Sequence, residues 1–175
     1  MFTLQQVSTA ICEASDRSDR SRMLSQVRNL ATRVGVGESG DNGLRYMDRL
    51  SAAVCAVLVE AVDNGVGGIE LRSLESCLRH GRNVVTMAPF GTFEISLDAT
   101  LRRIAQGENW IVELLRFRDD TGAVQSIPTL ARVEPDGSVT RWRVPGDHVF
   151  FARLQIEITP MLLRLASALD RASDA

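Results

Sequence analysis

Arg22, Gln26, Asn29 and Arg33 recur at intervals of three and four residues. In a helix such positions fall within about 60° of one another and form one polar stripe. Their chemistry is hydrogen bonding to flat, multidentate partners: Arg matches guanine or phosphate, and Asn and Gln match adenine. From Arg17 to Arg33 there are five Arg and one acid, Asp19, in a chain whose net charge is -2. A local positive excess is what attraction to phosphate requires when the whole chain is not basic. A solvated outer helix face without a ligand carries the same pattern. All 20 basic residues are Arg, which coding in a GC-rich genome explains without invoking function.

Other reactive residue types are sparse. Cys77 and His80 have half of a metal-site spacing, and no second pair completes it. Asp147 adjoins His148, but no strained nucleophile motif accompanies them. Gly65-Val66-Gly67-Gly68 lacks both the preceding strand and the Lys of a phosphate loop. No catalytic residue, metal or cofactor is therefore expected, and the chain does not read as an enzyme. Its three cysteines are odd in number and widely spaced, which suits free thiols in a reducing compartment. No secretory leader or run of roughly 18 apolar residues is seen, so the expected address is the cytoplasm of a bacterium, away from membranes.

The elements that must position the stripe come first in the chain. Thr3 and Gln6 form a T-x-x-Q capping box, with Phe2 and Val7 as a hydrophobic staple. Leu4, Val7, Ile11 and Ala14 then share a face, and Asp16 to Ser21 reads as a turn. A second helix from about Ser21 to Arg33 places Met23, Val27, Leu30 and Val34 opposite the polar stripe. Gly35-Val36-Gly37 stops it, and Asp41-Asn42-Gly43 suits the tip of a hairpin that continues through Leu44, Arg45 and Tyr46. This order predicts a winged helix-turn-helix, with Arg17, Arg20, Arg28 and Arg45 beside phosphates and Arg45 in the wing. Asp48 caps a third helix, apolar nearly all round, which Asn64-Gly65 ends. A fourth runs from about Ile69 to His80, with Leu71, Leu74 and Leu78 on one face.

Residues 2–80 resemble the MerR-type winged helix-turn-helix domain. The matching features are Phe2 to Val7, Val27-Arg28-Asn29-Leu30-Ala31, the Gly/Arg/Tyr-containing stretch Gly40 to Tyr46, and Asn64-Gly65-Val66. The resemblance implies a transcription regulator. In such a protein one helix enters the major groove of double-stranded DNA, the wing (here Arg45 and Tyr46) holds the backbone, and a homodimer binds a palindromic operator. RNA polymerase or another regulator is a further implied partner.

A composition shift at Gly81-Arg82-Asn83 predicts a boundary, giving domains at 1–80 and 84–175. The second reads as a small antiparallel sheet. Its strands are expected at 84–88, 92–97, 110–118, 123–133, 138–144 and 149–158, with Pro89-Phe90-Gly91 as a turn. Asp98 caps a short helix to Gln106, and Pro128 suits an edge or a bulge. Trp110, Trp142, Phe150 and Phe151 read as core. Thr159-Pro160 opens a last helix whose Leu162, Leu165 and Leu169 are either domain core or a dimer seam. The expected class is α+β. The alternative to a DNA-binding regulator is a protein-protein adaptor, whose winged helix and sheet would serve as docking surfaces.

Overall fold

The hydroxyl of Thr3 accepts the backbone N–H of Gln6 at 3.2 Å, and the Gln6 side chain accepts the Thr3 N–H at 2.9 Å. This reciprocal cap starts α1 (Leu4–Ala14) in the computed structural model. The structure describes residues 1–41, 43–81, 83–85, 92–94, 96–141 and 150–174, and for 83–85, 92–94 and 141 the backbone alone. Among them are six helices and nine strands, a mixed α+β architecture in which every strand pairing is antiparallel. None of these helices is long and apolar enough to cross a membrane.

Two compact units emerge, and the expected boundary at 81–83 lies within the second. Unit 1 joins Met1–Gly67 to Pro160–Ala175, and unit 2 is Gly68–Thr159.

In unit 1, α1 is followed by α2 (Arg20–Arg33) and α3 (Arg49–Asp63). The second helix starts one residue before its expected start, because Asp19 accepts the Arg22 N–H at 2.9 Å and caps it. Asp48 caps α3 as expected, through Ser51 N at 2.6 Å. Ten residues of α3 are buried, from Ser51 to Val59 and again at Ala61, so it forms the centre of the unit. Val7, Ile11, Met23, Val27, Leu30 and Ala31 bring α1 and α2 into the same core. Phe2 and Thr3 also form a strand, β1, that pairs with β3 (Arg45–Met47), and β3 in turn pairs with β2 (Glu38–Ser39). Phe2 stands opposite Met47, and both are buried. The hairpin needs a glycine at Gly37, where φ is +87° and a Cβ would lie 2.6 Å from the Tyr46 carbonyl oxygen. The tip residue Asn42 lies outside the described residues.

The last helix, α6 (Thr159–Ser173), resolves the question about its leucines. Met161, Leu162, Leu165, Ala168 and Leu169 are covered within a single chain, so the stripe is core. Around it Arg164 pairs with Asp16 at 2.8 Å and Arg171 with Glu13 at 2.9 Å. Asp170 accepts from Arg49, and the carbonyl of Ala172 accepts from Gln6.

Unit 2 opens with α4 (Gly68–His80) and the short pair β4 (Asn83–Val85) and β5 (Thr92–Glu94). Then come α5 (Leu97–Ile104) and a sheet of β6 (Asn109–Arg118), β7 (Val124–Val133), β8 (Val139–Arg141) and β9 (Phe150–Glu157), in the order β8-β7-β6-β9. Ser96 rather than Asp98 caps α5, accepting from Ala99 N at 3.2 Å. Buried Leu97 is thereby its first residue. Pro128 does not break β7: it stays in register opposite Leu114, and the irregularity lies between Arg116 and Phe117 against β9. Among the described residues β8 pairs with β7 only from Ala131 to Val133, so Pro128 has a described strand on one side alone. Leu71, Leu74 and Leu78 are buried on α4, and Arg116 of β6 holds Glu70 by two bonds of 2.9 and 2.8 Å. The Thr159 hydroxyl accepts from Trp110 N at 2.7 Å, tying the end of β9 to β6 rather than capping α6. Trp110 is core, but Phe151 is exposed and lies under the Arg118 guanidinium. The expected turn at 89–91, Trp142, the Asp147-His148 pair and the inner parts of the strands expected at 84–88 and 138–144 lie outside the described residues.

Candidate nucleic-acid interface

Four apolar side chains fix the orientation of α2. Met23, Val27, Leu30 and Ala31 are buried, so the helix turns Ser25 and Thr32 most directly outward at about 100° per residue, with Arg28 off to the side away from Gln26. The stripe of Arg22, Gln26, Asn29 and Arg33 runs along one flank instead, on the side of Gln26's neighbour α3. Arg22, Asn29 and Arg33 are exposed, whereas Gln26 is half-buried.

The cations of this surface fall into two groups. Arg20, Arg28 and Arg33 are exposed and form no ion pair among the described residues; Asn29 between them makes no side-chain hydrogen bond there. Arg17 is spent. Asp16, with φ +54°, turns the chain after α1, and Arg17 N bonds back to Cys12 O at 2.9 Å. Its guanidinium then reaches α3, where one nitrogen pairs with Glu60 at 2.7 Å and the other with Asp63. Gln26 Nε2 donates to the same Asp63 at 2.8 Å, and Arg22 Nη2 stands 3.8 Å from it. Arg17, Arg22, Gln26 and Asp63 line a cleft of about 370 Å³ together with Asp16 and Asp19. Glu60 and Asp63 halve the +4 excess counted from Arg17 to Arg33.

The hairpin differs from a phosphate clamp in its charges. Arg45 is half-buried and donates to the carbonyl of Ala31, near the C-terminal end of α2, where a cation is favoured by the exposed carbonyls. Tyr46 is half-buried in β3, opposite Thr3 on one side and Glu38 on the other. The exposed side chains on the hairpin are Glu38, Ser39, Asp41 and Leu44. Arg45 therefore braces α2 rather than standing at the tip.

The thiols of this unit are chemically quiet. Burial pushes Cys55 up to about 12 and also raises Cys12, although Arg20 and Arg17 nearby pull the latter down. Cys77, in unit 2, directs its Sγ to the Pro128 carbonyl at 3.5 Å.

Sequence reasoning had not singled out Glu60 and Asp63. Their signal was available: two acids three apart in the last turn of an otherwise apolar helix, where carboxylates are disfavoured unless something cationic meets them. Compared with known families, curated proteins and solved structures, the chain matches none.

Proposed function

We propose that the protein is a sequence-specific, DNA-binding transcription regulator with a winged helix-turn-helix in unit 1. The observation that carries this reading is the set of uncommitted cations on α2: Arg28 and Arg33, exposed on its two flanks and without ion pairs among the described residues, with Asn29 between them, and Arg20 at its start. Uncommitted guanidiniums on the two flanks of one rigid helix can meet phosphates on either wall of a groove, and an amide between them can read a base edge. The helix pair α1–α2 and the three-stranded β1-β3-β2 sheet support the winged-helix assignment. So does the resemblance of residues 2–80 to MerR-type domains. In this reading α2 enters the major groove, Arg28, Asn29 and Arg33 face the bases or the flanking phosphates, and Arg22 stands at the margin. The working form is a homodimer on double-stranded DNA in the cytoplasm, and RNA polymerase or a second regulator is its protein partner.

A second reading has its own observation. The hairpin exposes Glu38, Asp41 and Leu44 while Arg45 turns inward, which suits a protein-protein adaptor better than a phosphate-gripping wing. Fluorescence anisotropy and footprinting against fragments of the protein's own genome, repeated over a range of salt, separate the two. The regulator binds with an affinity that falls steeply with salt and protects a discrete site. If no salt-sensitive binding develops at micromolar protein, the adaptor reading stands.

A further inference from the structure

Asp63 receives three side chains that border the proposed DNA surface. It accepts from Arg17 and from Gln26 Nε2 at 2.8 Å, and Arg22 Nη2 lies 3.8 Å away. Glu60, one helical turn earlier, takes the second nitrogen of Arg17 at 2.7 Å. These carboxylates sit in the last turn of α3, where the helix's own carbonyls repel them. Such a placement is tolerated because Arg17 and Gln26 compensate it. The side chains of Glu60, Asp63 and Arg17 are each between a fifth and a third exposed, so water screens the cluster only in part.

Two consequences follow for α2. Any phosphate approaching Arg17 or Arg22 must compete with a carboxylate already in place. Gln26 is anchored from one side, so one of its amide hydrogens is committed to Asp63 and its orientation is restricted.

We propose that Asp63, backed by Glu60, is a specificity-determining residue: it withholds Arg17 and Arg22 from indiscriminate phosphate contact and orients Gln26 for base reading. The inference rests on the DNA-binding reading above. Phosphate contacts add affinity for every sequence alike, whereas base contacts distinguish them. A carboxylate that removes cations from the first class and fixes an amide of the second therefore raises the ratio of specific to non-specific affinity.

The test is Asp63→Asn, alone and combined with Glu60→Gln so that Arg17 loses both of its carboxylates, in the full chain, measured by anisotropy against the footprinted site and against a random-sequence duplex. Each arginine released steepens the dependence of log affinity on log salt by about 0.9 and tightens random-sequence binding roughly five- to tenfold near 0.1 M salt. The footprinted site gains less, so discrimination falls. Adding Arg17→Gln to the Glu60→Gln/Asp63→Asn pair reduces the steepening by about one ion, while Arg17→Gln alone leaves the wild-type slope unchanged. An unchanged slope in a Glu60→Gln/Asp63→Asn protein that melts cooperatively overturns the inference alone. So does a loss of one ion in Arg17→Gln alone, which stays decisive even if D63N fails to fold. If neither wild type nor D63N binds any duplex in a salt-sensitive way, the DNA reading is overturned and takes the inference with it.

Discussion

Substituting Arg28 and Arg33 by Ala, singly and together, tests the proposed interface most directly. Both side chains are exposed and in no ion pair among the described residues, so their removal breaks no structural contact there and surface truncation alters stability by no more than about 0.5 kcal/mol. Their α-carbons are five residues apart, about 7.5 Å along the helix axis and about 140° around it, so they leave the helix on two flanks, as suits phosphates on opposite walls of a groove. With Arg20, three guanidiniums per chain are available without breaking an existing pair. Wild-type binding should therefore show a log–log salt slope of about -3 per protomer, and twice that for a dimer. Each Ala should reduce the slope by about 0.9 per protomer, and the double variant by about 1.8, because the two sites are far enough apart to be nearly additive. Arg45→Ala is the internal contrast. Its guanidinium braces the Ala31 carbonyl, so it should cost about 1 kcal/mol of stability and leave the slope unchanged. Anisotropy at four or more salt concentrations, with a thermal melt of each variant, reads both quantities. Equal slopes in wild type, Arg28→Ala and Arg33→Ala would refute the assignment of the α2 face. A slope that falls in Arg45→Ala as much as in Arg28→Ala would refute the distinction between braced and uncommitted arginines.

Other expectations concern the scaffold. Leu58→Ala empties a fully buried site on α3 and should cost about 2–5 kcal/mol in urea unfolding. A loss below about 1 kcal/mol would contradict its central place. Gly37→Ala puts a Cβ 2.6 Å from the Tyr46 oxygen at a positive φ, and should lower stability by about 2 kcal/mol or more, seen as a depressed melting midpoint. In unit 2 the two bonds from Arg116 hold Glu70 below the usual carboxylate range. Its contribution of about 1 kcal/mol, discounted for partial exposure, is present above the unfolded value near 4.3 and is lost as pH falls through the depressed folded value. The stability gap between wild type and Glu70→Gln should therefore close as pH falls from neutral through and below the ordinary carboxylate range; a gap independent of pH would remove the ion pair as its cause.

The parts of the fold that local chemistry determines were legible. The cap at Thr3 and Gln6, the cap at Asp48 and the apolar run of α3 announce their helices because the partners lie within one turn or on one face. Two-residue β1 was not legible, since a strand that short has no alternation to read; its partner Met47 lies 45 residues on. The polar stripe of α2 was visible as a stripe, but spacing cannot say which flank meets a neighbour. That depends on Asp63, 37 residues beyond Gln26. Arg45 illustrates the same limit, because a residue at a hairpin's edge can point to solvent or back to a helix, and only the carbonyl of Ala31 decides. The cap of α5 was placed two residues late, since Ser96 and Asp98 are both good caps and buried Leu97 between them settles the choice. The leucines of α6 announced a buried face without saying which core receives it.

That last point bears on how the molecule is made. Unit 1 is completed by residues that a ribosome adds only after all of Gly68–Thr159 has been synthesised. Until α6 emerges, the acceptors for Arg49 and the Gln6 amide are missing, as are the partners of Glu13 and Asp16. The nascent N-terminal helices are therefore without these partners while the intervening unit, whose sequence is contiguous, is free to fold first. A release at residue 80 would not yield a finished N-terminal module. It would yield a chain without those partners, with apolar surface still to be closed.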